Sequence, residues 1–184
     1  MEFSDWDLVQ KCQAGETSAF QELVSRYQQK VFMVVLGLLR DREDSMDVAQ
    51  EAFFRAYRKI KGFKGGSSFY TWLYRIAVNI AIDSQRRQKR NPLEFRENMD
   101  EVLEERNEVE KDPFSSAHDK ELRAGLIAAI NDLTAEHKAV IILRTLEGLP
   151  YKDIGEILGC SEGTVMSRLH YARKKLQSKL KAFL

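Results

Sequence analysis

Between Glu94 and Asp112 the chain carries nine acidic residues against three basic ones, a net charge of −6, with Pro92 before the run and Pro113 after it. A stretch that repels itself and has little to bury cannot sit inside a hydrophobic core. It reads as a flexible linker or loosely helical tether, so the 184 residues must fold as two small units. The expected layout is a first domain over 1–91, an acidic linker over 92–116 and a second domain over 117–184.

Apolar residues on either side recur at three- and four-residue intervals, and only 3 prolines and 10 glycines interrupt them, which predicts an all-α chain without strands. Helices are expected at about Asp5 to Ala14, from Ser18 through Val35, from Ser45 to Ile60, and from Ser67-Ser68 into the basic run Arg86-Arg87-Gln88-Lys89-Arg90. Gly62 is expected to take a left-handed cap after the third. In the second unit a helix starts near Ala117. Thr134 caps the next, whose inward face is Val140, Ile141, Leu143 and Leu146. Pro150 opens a short helix over Tyr151 to Leu158, Gly159 ends it, and Ser161 caps the last.

This short helix, glycine-containing turn and longer helix make a helix-turn-helix, whose second helix is shaped for a major groove. From Gly163 to Leu184 there are six basic residues and no acidic one, a field suited to phosphates. A second positive zone runs from Arg55 to Arg90, with ten basic residues against Asp83 alone. Phe63, Phe69, Tyr70, Trp72 and Tyr74 surround its Gly65-Gly66-Ser67-Ser68 loop. Cations for a backbone and rings for unstacked bases suit single-stranded nucleic acid, although Trp72 and Phe69 taken alone are more often core than platform, and only the combination with the loop glycines and the basic run brings the two readings level. On the third helix Asp47, Gln50, Glu51 and Phe54 fall at i, i+3, i+4 and i+7, an acidic face carrying one large ring. A ring among charges is a common anchor for a protein partner.

Cys12 and Cys160 have no second ligand at metal spacing, and the three histidines are scattered, so neither a disulfide, a metal nor a cofactor is expected. The longest apolar run, Val31 to Leu39, is far short of the roughly 20 residues that cross a bilayer, and a cytoplasmic protein without membrane insertion is expected. No side chain has the base and orienting partner that catalysis requires, so the chain is not read as an enzyme and no small-molecule substrate is expected.

Three motifs, Asp47-Val48-Ala49-Gln50-Glu51-Ala52-Phe53, Phe69 through Asn79, and Leu146-Glu147-Gly148-Leu149 with Gly163 through Leu169, stand in one order along nearly the whole chain. Together they resemble the bacterial extracytoplasmic-function sigma factors of the sigma-70 family. The resemblance implies a region 2 domain, a region 4 domain and no region 3 between them. It implies that Asp47, Gln50, Glu51 and Phe54 dock on core RNA polymerase. Phe63, Lys64 and Ser67 would belong to a loop that receives a flipped base of the minus-ten element. Arg75 and Asn79 would lie at an adjacent base, and Arg86 and Arg87 near the backbone. Arg168 and its neighbours Ser161, Thr164, Met166, Ser167, His170, Tyr171 and Arg173 would face the minus-thirty-five duplex of promoter DNA, and an anti-sigma factor is an implied partner.

Two departures stand out. Primary sigma factors carry adjacent tryptophans where this chain has Trp72-Leu73, which implies weaker strand opening. Family members often carry basic residues where this chain has Met166 and Tyr171, which removes possible guanine or phosphate contacts. Two other readings fit parts of the sequence: a stand-alone helix-turn-helix regulator, which leaves the Asp47 face unused, and an interaction module that sequesters a partner.

Overall fold

The computed structural model describes residues 3–90 and 125–181, and among these every regular element is helical. The acidic stretch, its bounding prolines and the start of the helix predicted near Ala117 lie outside the described residues. In the N-terminal half, α1 spans Asp5–Gln13, α2 Thr17–Leu39, α3 Arg42–Lys59 and α4 Phe69–Arg90, with a 3-10 turn at Ile60–Gly62. In the C-terminal half, α5 is described over 125–131. It is followed by α6, Ala135–Thr145, α7, Tyr151–Leu158, and α8, Glu162–Leu180.

Local chemistry sets most of these boundaries. Ser4 and Asp7 form a capping box at the start of α1: the Asp7 amide donates to the Ser4 hydroxyl at 3.2 Å and the Ser4 amide to the Asp7 carboxylate at 3.0 Å. The Ser4 hydroxyl, donating to the Asp7 carboxylate at 2.6 Å, and then the Ser4 amide hold that carboxyl below its ordinary range. Asp41, Ser68, Thr134 and Ser161 each accept a backbone amide at the start of α3, α4, α6 and α8.

Gly62 does not take the expected left-handed conformation. The chain leaves α3 through the 3-10 turn, and the positive φ, +73°, falls three residues later at Gly65. A Cβ there would lie 2.9 Å from the Trp6 ring, so backbone and close approach both require glycine.

α2 is the centre of the N-terminal half. Leu23, Val31, Val34 and Val35 on it are fully buried against α1, α3 and α4. Burying each such side chain contributes about 1.5 to 3 kcal/mol relative to exposure. Leu146 departs from the expected inward stripe: it caps α6 and is half exposed.

The sequence leaves the placement of the halves open, and the structure packs them together through one continuous core running from Leu8 to Leu169. Helix α6 lies on α2 and α4, and α7 lies on α4. Ile142 of α6 fills the space over Gly37 of α2, where a Cβ would meet its side chain at 3.1 Å.

Polar groups cross the same boundary. The Tyr70 and Tyr74 hydroxyls donate to Asp153 and Glu147, each at 2.6 Å, and Arg86 donates to Glu136 at 2.9 Å. Lys138, only 5% exposed, donates to the Leu38 carbonyl oxygen at 3.3 Å, and Gln85 donates to the same oxygen. A lysine taken so far from water requires such partners, and the last carbonyls of α2 are the negative end of its dipole. No described helix is long and apolar enough to cross a membrane.

Candidate nucleic-acid and protein interfaces

The face predicted on α3 is assembled by helical spacing alone. Val48, Ala52 and Ala56 are buried, which turns Asp47, Gln50 and Phe54 to solvent and leaves Glu51 half-buried. Phe54 is 57% exposed, with the Arg58 guanidinium 5.7 Å from its ring centre, and Arg55 donates to Glu51 at 2.6 Å. Met46 and Tyr57, exposed on the same side, widen the apolar part of this face. The sequence reading missed them because Met46 lies outside the acidic pattern and Tyr57 resembles a core residue of an amphipathic helix.

The loop after α3 is held from behind. Gln13 of α1 donates its side-chain amide to the carbonyl oxygens of Ile60 and Phe63 at 2.9 and 2.8 Å. Phe63, expected in the base pocket, is 8% exposed and packs on Trp72 with ring centres 4.8 Å apart, and on Phe69 and Trp6 more distantly. Its ring therefore belongs to the core beneath the loop, because an apolar ring beside three others is better buried than displayed. Facing solvent are Lys64, Gly65, Gly66 and Ser68, the half-buried Ser67, and the half-exposed ring of Trp6 against Gly65. Trp6 is a third residue the sequence reading missed, since nothing local links α1 to a loop sixty residues on.

Along α4, Arg75 and Asn79 are exposed and one turn apart, and Arg86 and Arg87 continue the exposed positive surface. Arg86 is engaged by Glu136 at 2.9 Å and lies 3.8 Å from Asp83. The Glu136 carboxyl is held below its ordinary range by a bond to its own backbone amide and then by Arg86. Tyr74, turned the other way, has its phenol pushed well above the ordinary tyrosine range by burial and by the Glu147 carboxylate.

In the C-terminal half the helix-turn-helix has the predicted joints. Pro150 precedes α7, Gly159 ends it at φ +63°, and the Ser161 hydroxyl accepts the Thr164 amide at 3.2 Å. Ile154 and Ile157 on α7 are buried with Val165, Leu169 and Ala172 on α8, which fixes the crossing of the two helices. Gly155 is required there, since a Cβ would stand 2.7 Å from the Cys160 carbonyl oxygen.

The outer face of α8 presents Met166 and His170 one turn apart, with Ser167, Tyr171 and Arg173 beside them. Lys174, exposed one turn beyond His170, extends this stripe and was counted in the sequence only as part of the basic field. Thr164 is half-buried. Arg168 is half-buried as well, its guanidinium 3.7 Å from the Cys160 sulfur, so it lies at the edge of the outer face nearest the turn. His137 of α6 stacks on Tyr171 with ring centres 4.9 Å apart; burial, and then Arg168, holds the imidazole below its ordinary pKa.

Two of the six basic residues are structural ties: Lys175 donates to the Asp132 backbone carbonyl at 2.5 Å and Lys179 pairs with its carboxylate at 2.9 Å. The arrangement thus offers a duplex-sized helix face, a positive and glycine-rich loop beside a second helix, and a separate acidic face with apolar anchors.

Comparison with known proteins gives matches in both halves of the chain. Residues 23–91 match the family model of sigma-70 region 2, and residues 123–176 match that of sigma-70 region 4. The chain is 42% identical over 194 aligned positions to the ECF RNA polymerase sigma-E factor of Haemophilus influenzae, covering all of this chain and 98% of that protein. Among solved structures it is similar to CnrH in complex with the cytosolic domain of CnrY, with a TM-score of 0.71, 25% identity and 97% of each chain covered. It is also similar to the sigma factor RpoE in complex with the anti-sigma factor NepR from Bartonella quintana, with a TM-score of 0.65, 26% identity, and 88% of this chain and 96% of that one covered.

Proposed function

Because this chain belongs to the sigma-70 family as an extracytoplasmic-function RNA polymerase sigma factor, we propose that it divides promoter recognition between its two halves while a third surface holds the polymerase. Core RNA polymerase, promoter DNA and an anti-sigma factor are its partners. It acts in the cytoplasm, where the polymerase works, and contributes binding rather than covalent chemistry. Residues 1–91 are assigned as the region 2 domain, 92–116 as the linker and 117–184 as the region 4 domain.

In this reading Asp47, Gln50, Glu51 and Phe54 seat on the polymerase. Solvent-exposed carboxylates steer the encounter, and Phe54 supplies the apolar anchor that desolvates on docking. The loop carrying Lys64 and Ser67 takes an extruded base of the minus-ten element, with the Phe63 ring as its floor rather than its platform. Stacking on nearby rings and phosphate contacts from lysine and arginine provide sequence-tolerant grip. Arg75 and Asn79 stand where they can reach the next base, and Arg87 and a released Arg86 hold the backbone. Ser161, Thr164, Met166, Ser167, Arg168, His170, Tyr171 and Arg173 face the minus-thirty-five duplex, with the Ser161 end of α8 directed at a phosphate.

The observation that carries this reading is the presence in one chain of an unpartnered acidic face bearing Phe54 and of a helix-turn-helix with a basic outer helix. A stand-alone regulator needs only the second. Run-off transcription with sigma-free core polymerase on a promoter library is the direct test: the wild-type chain should start transcripts from a restricted set, and none from any template would sink the proposal. In the same assay Asn79→Ala should relax discrimination at one position of the downstream element by about 1 to 3 kcal/mol, as expected for a lost base contact. Unchanged discrimination among single-base variants would remove Asn79 from the site.

A further inference from the structure

A base lifted out of a strand stacks only on a ring whose face is still open, and most rings around the loop after α3 are already covered. Phe63, Phe69 and Tyr74 are 8%, 3% and 1% exposed. The half-buried Trp72 lies against Phe63 and Phe69, with ring centres 4.8 and 5.9 Å away, and the Tyr70 hydroxyl is committed to Asp153.

Trp6 differs from all of them. Helical spacing turns Trp6, Val9 and Gln13 of α1, at i, i+3 and i+7, toward the loop. Val9 is fully buried, and Gln13 holds the carbonyl oxygens of Ile60 and Phe63. Trp6 rests the edge of its indole on Gly65, where a Cβ would stand 2.9 Å from the ring, and is still 42% exposed. Phe63 meets it edge-on, at 63° with ring centres 6.1 Å apart. Among the described residues no ring lies parallel to the indole and no cation lies over it, whereas the exposed ring of Phe3 carries the Lys11 ammonium 4.1 Å from its centre.

The surrounding charge suits a nucleic-acid strand. Lys61 and Lys64 are exposed beside the loop. The two acids flanking Trp6 are engaged within the chain: Asp5 accepts from Arg26 at 3.1 Å and from the Tyr27 hydroxyl, and Asp7 accepts from Ser4. A phosphate near the indole therefore meets lysines before it meets a carboxylate without a partner. Trp6 also falls outside residues 23–91, the segment that matches sigma-70 region 2, so no role for it comes with that match.

Resting on the sigma-factor reading above, we propose that Trp6 is the stacking wall of the base pocket. The extruded base of the single-stranded promoter segment lies on the indole at Gly65, with its edge along the backbone of residues 64–67 and its phosphates toward Lys61 and Lys64. Glycine at 65 is what lets ring and loop backbone come close enough to share one base. Stacking accepts any base, so Trp6 supplies grip and leaves base identity to the loop backbone and Asn79.

The test uses holoenzyme assembled from the full chain and core polymerase, titrated with a labelled single-stranded oligonucleotide that carries the downstream element. Trp6→Leu keeps an apolar cover over Gly65 but offers no ring, and should weaken binding about tenfold, while Trp6→Phe should recover most of the loss. An abasic site at the extruded position should cost the wild type a similar factor and cost Trp6→Leu nothing more, because both changes delete one contact. A 5-iodouracil placed there should photocrosslink to Trp6 in the unaltered protein, a readout that does not depend on how any variant folds. Equal binding by Trp6→Leu and wild type would overturn the proposal, as would abasic losses that add in full to that of Trp6→Leu at every position, or a crosslink that maps elsewhere. A wild-type chain that starts no transcripts from any template would overturn the sigma-factor reading and this proposal with it; a chain that transcribes but shows no coupling between Trp6 and the abasic site would overturn this proposal alone.

Discussion

If α3 docks on core polymerase as proposed, Asp47→Arg combined with Glu51→Arg is expected to weaken its capture by about a hundredfold or more, because two like-charge juxtapositions would replace two complementary ones in a desolvating interface. The fold should barely notice. Both side chains point away from the Val48, Ala52 and Ala56 stripe, and the one bond given up within the chain is the Glu51–Arg55 pair, an exposed i,i+4 interaction of small worth. Fluorescence anisotropy of labelled protein titrated with core enzyme reads the binding, and a thermal melt reads the fold. A normal isotherm for the double variant would remove α3 as the docking face. A stand-alone regulator would give that result, since it has no use for this surface. Phe54→Ala should follow the charge reversals in direction with no loss of thermal stability, as the ring already lies mostly in water.

The second large effect belongs to Gly155→Val. Any Cβ at this position meets the Cys160 carbonyl oxygen at 2.7 Å, and that oxygen is backbone in a turn fixed by Gly159 at φ +63° on one side and the Ser161 cap on the other. Replacing a helix-interior glycine gains at most about 1 kcal/mol in propensity, and less with β-branched valine. Forcing a tight packing apart costs about 1 to 3 kcal/mol, and valine adds two methyls to the clash. The clash wins. Helices α7 and α8 should splay, footprinting should show protection of the upstream element lost, and binding to core polymerase through α3 should persist. A variant that melts with the wild type and protects the same upstream bases would show that the turn accommodates a side chain.

The features readable from sequence were those set by neighbours within a few residues. Thr134 and Ser161 cap helices because a hydroxyl three residues ahead of an amide does so in almost any context, and Gly159 ends α7 because it alone adopts the left-handed angle there freely. The Asp47 to Phe54 face was legible because one buried stripe on α3 fixes the opposite side. The left-handed turn expected at Gly62, and the burial of the Phe63 ring, escaped the sequence for a related reason: local rules name the residue types at a helix end, but the clasp of Gln13 and the ring stack with Trp72 decide which residue turns and which is buried.

The contact between the halves had no local signature at all. Lys138 reads as one more surface cation, Gly37 as a mild defect in a helix, and Tyr70 and Tyr74 as candidates for nucleic acid. Only the packing of α6 and α7 against α2 and α4 gives them their partners.

Gln13 fastens the inner end of the segment after α3 through two carbonyl groups, and Ser68 fastens the outer end at the first turn of α4. Between these two clamps Lys64, Gly66 and Ser67 are at liberty to change, Gly65 being held to glycine by its φ of +73° and the Trp6 ring, and almost nothing of the hydrophobic interior depends on the side chains at those three positions. If the loop takes a base as proposed above, it is an exchangeable cassette: rewriting those positions should suit the chain to a different promoter while the scaffold that carries them is kept intact.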